Sequence, residues 1–228
     1  MFIGHYAVAL AAKKVAPKVS LGTLFIAAQL VDMLWPALLL LGVEHVRIDP
    51  GNTPVTPLDF YDYPISHSLI GAILWSCVLG ILFFALRKNR RNAFIVGLVV
   101  FSHWILDLLT HRPDLPLSFC GGPYFGLGLW YSLPGTLVAE FLLFAIGIAL
   151  YVRTTKAKDK VGSIGFWTLA VVLGVTYLSN LFGPPPPDVS LIAVAGNALW
   201  LFVLWAYWVD MHREVRSSLG PDKGVVGS

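Results

Sequence analysis

The stretch Arg90–Asp114, RRNAFIVGLVVFSHWILDLLTHRPD, decides how this chain is read. It opens on two arginines, runs apolar, and closes on His111-Arg112-Pro113-Asp114. An apolar run of about 20 residues suffices to cross a hydrocarbon core roughly 30 Å thick. Within the run stand His103 and Asp107. Four positions apart, they share one face of a helix. Ionisable groups inside a membrane span are costly and commonly functional. One segment thus predicts both a membrane helix and a polar site within it.

Working outward, five further stretches read the same way. With residues 92–110 they are about 20–42, 67–86, 134–153, 162–182 and 190–209. Hydrophobic residues make up 57% of the 228, and charged residues 13%, about half the share usual in a soluble domain. The expectation is an all-α, polytopic membrane bundle of six transmembrane helices plus a short N-terminal helix. Residues 1–210 form a single domain, with the site in about 1–115, and residues 211–228 form a polar cytoplasmic tail. The run Pro184–Pro187 marks a turn between the last two spans. The N-terminal stretch lacks the order and cleavage site of a secretory signal. Cys77 and Cys120 give no disulfide framework or metal motif.

Orientation follows from the basic residues. With the N-terminus inside, Lys13, Lys14 and Lys18, the cluster Arg87–Arg91, the cluster Arg153–Lys160, and Arg213, Arg216 and Lys223 all fall inside. That places 14 of the 16 Lys and Arg on one side, leaving Arg47 and Arg112 outside. Both termini are expected in the cytoplasm. The net charge of +3 is no nucleic-acid signal, because the basic residues sit in short clusters between apolar runs. Residues 2–12, FIGHYAVALAA, are too short to span. They read either as an interfacial helix or as a half-helix entering the bundle.

Helical rise compares the depths of the polar groups. Counted from the nearest inside basic residue, Asp32 lies at ~21 Å, His103 at ~18 Å, Asp107 at ~24 Å and Glu140 at ~20 Å. His67 comes out at ~30 Å, on the outer rim, and His5 at ~12 Å if its segment is a half-helix. His111 continues the stripe of His103 and Asp107. Pro36 cannot donate to the carbonyl of Asp32 and should kink the first span. Each residue alone has a plain reading: a packing aspartate bonded to Gln29, an intrahelical His–Asp pair, a helix cap at His67, an interfacial His111. Their alignment in depth favours a shared site. Carboxylates gathered without a positive charge would be forced to protonate, whereas His and Asp/Glu together suit a divalent metal. The candidate ligands are His5, Asp32, His67, His103, Asp107, His111 and Glu140. His45 and His212 lie in loops and receive no role.

The ordered set His5, Asp32, His67-Ser68 and the HxxxD of His103 and Asp107 resembles the YdjM-like family of bacterial inner-membrane, metal-dependent hydrolases. The resemblance covers about residues 1–115. This chain has Val31-Asp32 where the family often has Pro-Asp. The order also resembles that of zinc-dependent phospholipase C and the S1/P1 nucleases, helical enzymes in which a His–Glu pair follows. Here that spacing gives Thr136 and Glu140, so the histidine is missing. The resemblance implies Zn²⁺, as one or two ions, and a multi-pass protein of the bacterial inner membrane.

The expected function is hydrolysis, with phosphoesters the specific choice by that resemblance, at a site facing the outer leaflet or periplasm. Asp32 or Asp107 would orient a water as general base, and a lipid-derived or phosphorylated small substrate is the expected partner, besides the bilayer itself. No serine-nucleophile motif or Gly-rich phosphate loop is present. The alternative is an ion- or proton-coupled transporter, or a metal carrier, using the same His/Asp cluster.

Overall fold

The computed structural model of the chain describes residues 1–216. It is an all-α helical bundle with three small two-stranded sheets. In chain order the elements are α1 (Ile3–Ala12), α2 (Leu21–Leu40), β1 (His45–Ile48), β2 (Leu58–Asp62), α3 (Pro64–His67), α4 (Leu69–Arg87) and α5 (Arg90–Thr110). They continue with β3 (Leu115–Ser118), β4 (Gly121–Phe125), α6 (Leu133–Thr154), β5 (Thr155–Ala157), α7 (Lys160–Phe182), α8 (Val189–Asn197), α9 (Leu199–Met211) and β6 (Arg213–Val215).

Six helical segments are long and apolar enough to cross a membrane: α2, α4, α5, α6, α7, and α8 with α9 taken together. Their starts are written in the sequence. Each opens on a residue whose side chain accepts a first-turn N–H, namely Ser20, Ser68, Asn89, Ser132, Asp159 and Asp188. The outer helices keep bare apolar faces. On α4 only Gly71 and Ala72 are buried, while Ile81 and Leu86 are 68% and 73% exposed. Such faces need lipid as solvent, so this is a multi-pass membrane protein.

The centre of the bundle is α1, α2 and α5. The short N-terminal segment is not interfacial: Ile3, His5, Tyr6 and Ala9 are fully or almost fully buried. It packs on α6 at Gly147, where an added Cβ would sit 2.6 Å from the carbonyl oxygen of Ala7. At its far end the Lys13 ammonium bonds Asp210 of α9 at 2.8 Å and the Val19 carbonyl at 2.8 Å. Met1 lies buried at the depth of the polar site, and the basic end of the segment is Lys13–Lys18.

Two antiparallel hairpins, β1–β2 and β3–β4, cover the end of the bundle opposite Lys13. Arg112 binds them together, bonding Asn52, Asp59 and Asp114. At the basic end, β5 pairs with β6, so residues 213–215 of the expected tail are ordered as a strand. The rest of that tail, from residue 217, lies outside the described residues.

Candidate metal centre

Five of the seven candidate ligands converge. On α5, His103 and Asp107 face inward at 1% and 2% exposure, with Nε2 of His103 lying 3.0 Å from Oδ2 of Asp107. From α2, Oδ1 of Asp32 comes within 3.6 Å of the same Nε2. His67 approaches with Nε2 3.2 Å from Asp32 and 4.0 Å from Asp107. His5, on α1, places Nε2 3.1 Å from Oδ1 of Asp107. Two overlapping groups follow, His5–His103–Asp107 and Asp32–His67–His103, each with its ligand atoms within 4.8 Å of one another.

His67 does not sit on the outer rim as the rise along one helix predicts. The helix breaks at Ser68, whose ψ of 157° is extended, and the single turn of α3 carries His67 inward to Asp32. Pro64, at the first turn of α3, starts that separate helix.

The ring protons can be assigned from the outer bonds. Nδ1 of His103 lies 2.7 Å from the Ala28 carbonyl, which only accepts, so Nδ1 carries the hydrogen. Its buried Nε2 faces two carboxylates, Asp107 at 3.0 Å and Asp32 at 3.6 Å, where it either donates as an imidazolium or, as a lone pair, needs a cation between. Lone pairs facing carboxylates repel unless a cation lies between them. The donor set therefore fits a divalent metal, and the outer bond at Nδ1 is the orienting partner that metal-bound histidines ordinarily have.

The remaining two candidates stand further out. His111 is buried, and its Nε2 is 3.9 Å from Asp107, while its Nδ1 lies 2.9 Å from Asp114. Tyr63 donates its hydroxyl to the same Asp114 oxygen at 3.0 Å. Burial, then the charges of Asp114 and Asp107, raise that phenol well above its ordinary pKa, so it stays a donor. Glu140 is not brought to the donor set. Its two oxygens accept the N–H groups of Phe2 at 2.9 Å and Gly4 at 2.8 Å. A carboxylate at the start of a helix satisfies free donors and the dipole together. Glu140 thus holds α1 in place, at a depth that matched the site for this different reason.

Sequence reasoning missed Glu44, Ser66 and Tyr63. Ser66 beside His67 was the one local signal; Glu44 reads simply as a loop acid. A cleft of about 320 Å³ between the hairpins is lined by Tyr61, Asp62, Tyr63, Phe119 and Tyr124. Tyr63 forms part of its wall and reaches His111 at 3.3 Å. His45 and His212 pair with Asp62 and Asp159 at the surface, away from the centre.

No known protein family, curated protein or solved structure matches the chain.

Proposed function

We propose that this chain is a membrane-embedded, divalent-metal-dependent hydrolase of phosphoester bonds, related to the YdjM-like proteins of the bacterial inner membrane. The observation that carries the reading is the convergence of His103 Nε2 with Asp32, Asp107, His5 and His67 in two overlapping groups whose donor atoms lie within 4.8 Å of one another. The two ligand groups share His103, which accommodates one ion or a pair. Zinc suits the mixture of imidazole and carboxylate.

A bound zinc supplies a water of lowered pKa and polarises a phosphoryl oxygen. The protein's own contribution divides between its aspartates. The Asp107 side chain is 2% exposed and lies within 4.0 Å of four imidazoles and 2.6 Å from the Met1 ammonium, which suits a ligand. Asp32 is 26% exposed and suits a proton acceptor for an attacking water. Among the described residues no Lys or Arg side chain bonds the five converging residues, and the cation that does is the Met1 ammonium, 2.6 Å from Oδ1 of Asp107. The aromatic cleft beside Tyr63 suits the head of a lipid-derived substrate.

The test is metal analysis of detergent-purified protein together with turnover of bis-p-nitrophenyl phosphate and of phospholipid vesicles. Zinc at one equivalent or more, with turnover abolished by chelator and by His103→Ala, supports the reading. Flux into proteoliposomes without turnover favours a transporter instead. Protein with no metal, and none taken up on titration, overturns the metal centre.

A further inference from the structure

Glu44 lies in the turn that follows α2, next to the outer hairpins. Gly42, at φ 65°, lets the chain reverse there, and the N–H groups of Val43 and Glu44 both return to the Leu38 carbonyl. The reversal carries a carboxylate into the protein. Glu44 is 1% exposed, yet no Lys, Arg or His pairs with it among the described residues. Its Oε1 accepts the N–H of Ile65 at 2.7 Å and of Ser66 at 2.8 Å. Its Oε2 lies 2.7 Å from Oγ of Ser66, and that same Oγ lies 2.7 Å from Nδ1 of His67.

Only one hydrogen sits on the Ser66 hydroxyl, so the two short bonds at Oγ fix each other's direction, the Tyr63 carbonyl being a longer contact at 3.4 Å. An ionised carboxylate accepts only. The hydroxyl must therefore donate to Glu44, and Oγ must accept from His67. This places a ring hydrogen of His67 on Nδ1 and makes Nε2, 3.2 Å from Asp32, the nitrogen that a metal would take.

We infer that Glu44 is a positioning residue that sets the tautomer of His67 through Ser66, presenting Nε2 as a metal-binding lone pair. The inference rests on the metal-centre reading for its purpose, but its structural core, the tautomer, holds without metal. Outer partners of this kind ordinarily alter metal affinity by about ten- to a hundred-fold.

Glu44→Gln gives a directional test. The Gln carbonyl can take over the two backbone N–H groups, and its amide then donates to Ser66. The hydroxyl is turned round to donate to Nδ1 of His67, moving the ring hydrogen onto Nε2. Ser66→Ala removes the relay without forcing that reversal. The measurements are ¹⁵N spectra of histidine-labelled, metal-stripped protein in detergent, with His67 assigned by His67→Asn, and zinc affinity by competition with a chromophoric chelator.

The expected spectra show His67 protonated on Nδ1 in the wild type and on Nε2 in Glu44→Gln. Zinc affinity should fall by about a hundred-fold in Glu44→Gln and about ten-fold in Ser66→Ala. The double variant should return to the Ser66→Ala value, because the reversed donor no longer reaches the ring. A merely structural carboxylate would give losses that multiply. An unchanged tautomer in Glu44→Gln, or a double variant worse than either single one, overturns the inference. Wild-type protein that binds no zinc while the tautomer still switches removes the metal centre and leaves the relay standing.

Discussion

The imidazole of His5 lies flat against that of His103, ring centroids 3.6 Å apart and planes 4° from parallel. Two charged rings would not stack so closely without strong repulsion, so at most one of them carries a charge, and both turn Nε2 toward Asp107. The contact joins the N-terminal half-helix to the third span. It makes the first residues of the chain part of the site.

His5→Ala should therefore lower bound zinc in purified protein, and His5→Phe should do the same although it keeps an aromatic ring against His103. Mass-spectrometric metal analysis reads both. Full metal content in His5→Phe would reduce the ring to packing and leave a site built from α2, α3 and α5 alone.

The route by which α1 reaches the site gives a remote test. Gly147 leaves room for the backbone of Ala7, with an added Cβ 2.7 Å from its Cα. Gly147→Val should push α1 outward and cost as much metal as His5→Ala, about ten-fold or more in affinity. Gly174, where an added Cβ would meet no neighbouring element within 4 Å, supplies the control: Gly174→Val should leave metal content unchanged. Equal effects of the two would mean general damage to the bundle.

Glu140 carries a different expectation from the ligands. Its bonds to Phe2 and Gly4 are charge-assisted, of a kind that contributes about 1.5–3 kcal/mol each. Glu140→Gln should lower the melting temperature in detergent while reducing metal content less than His103→Ala does. Complete metal loss equal to that of His103→Ala would make Glu140 a ligand.

Metal removal should invert the effect of one substitution. Without a cation, Asp32 faces the ring nitrogens of His67 and His103 at 3.2 and 3.6 Å, and carboxylate charge in low dielectric is unfavourable. Asp32→Asn should melt above the wild type in chelator and below it in saturating zinc. Each kcal/mol moves Tm by about 2–4 °C in a domain of this size. The same sign in both conditions would show that no ion balances Asp32.

Topology is testable by reporter fusions. Fusions after residues 18, 89, 157 and 215 should read cytoplasmic, and those near 55, 118 and 186 external, from the 14-to-2 division of basic residues. A cytoplasmic signal at 55 or 118 would turn the site to the other face.

The sequence by itself determined the bundle. Apolar length fixes which segments can span, and capping residues such as Ser20 and Asn89 fix where two of them begin. The pairing of His103 with Asp107 was legible too, because both lie on one helix and its period is known. Partners on different elements were not legible in this way. Rise along a helix gives depth but not rotation, so Glu140 read as a member of the site when its carboxylate caps α1. Depth also fails where a helix breaks, as it does at Ser68, and only that break brings His67 to Asp32. The burial of α1 depended on close approach to Gly147, a contact between residues about 140 apart that no local pattern encodes. Glu44 was hidden for the same reason: a loop acid acquires meaning only when a chain reversal carries it to Ser66. Secondary structure follows from local chemistry, and the donor set from side-chain directions that only packing among α1, α2, α3 and α5 decides.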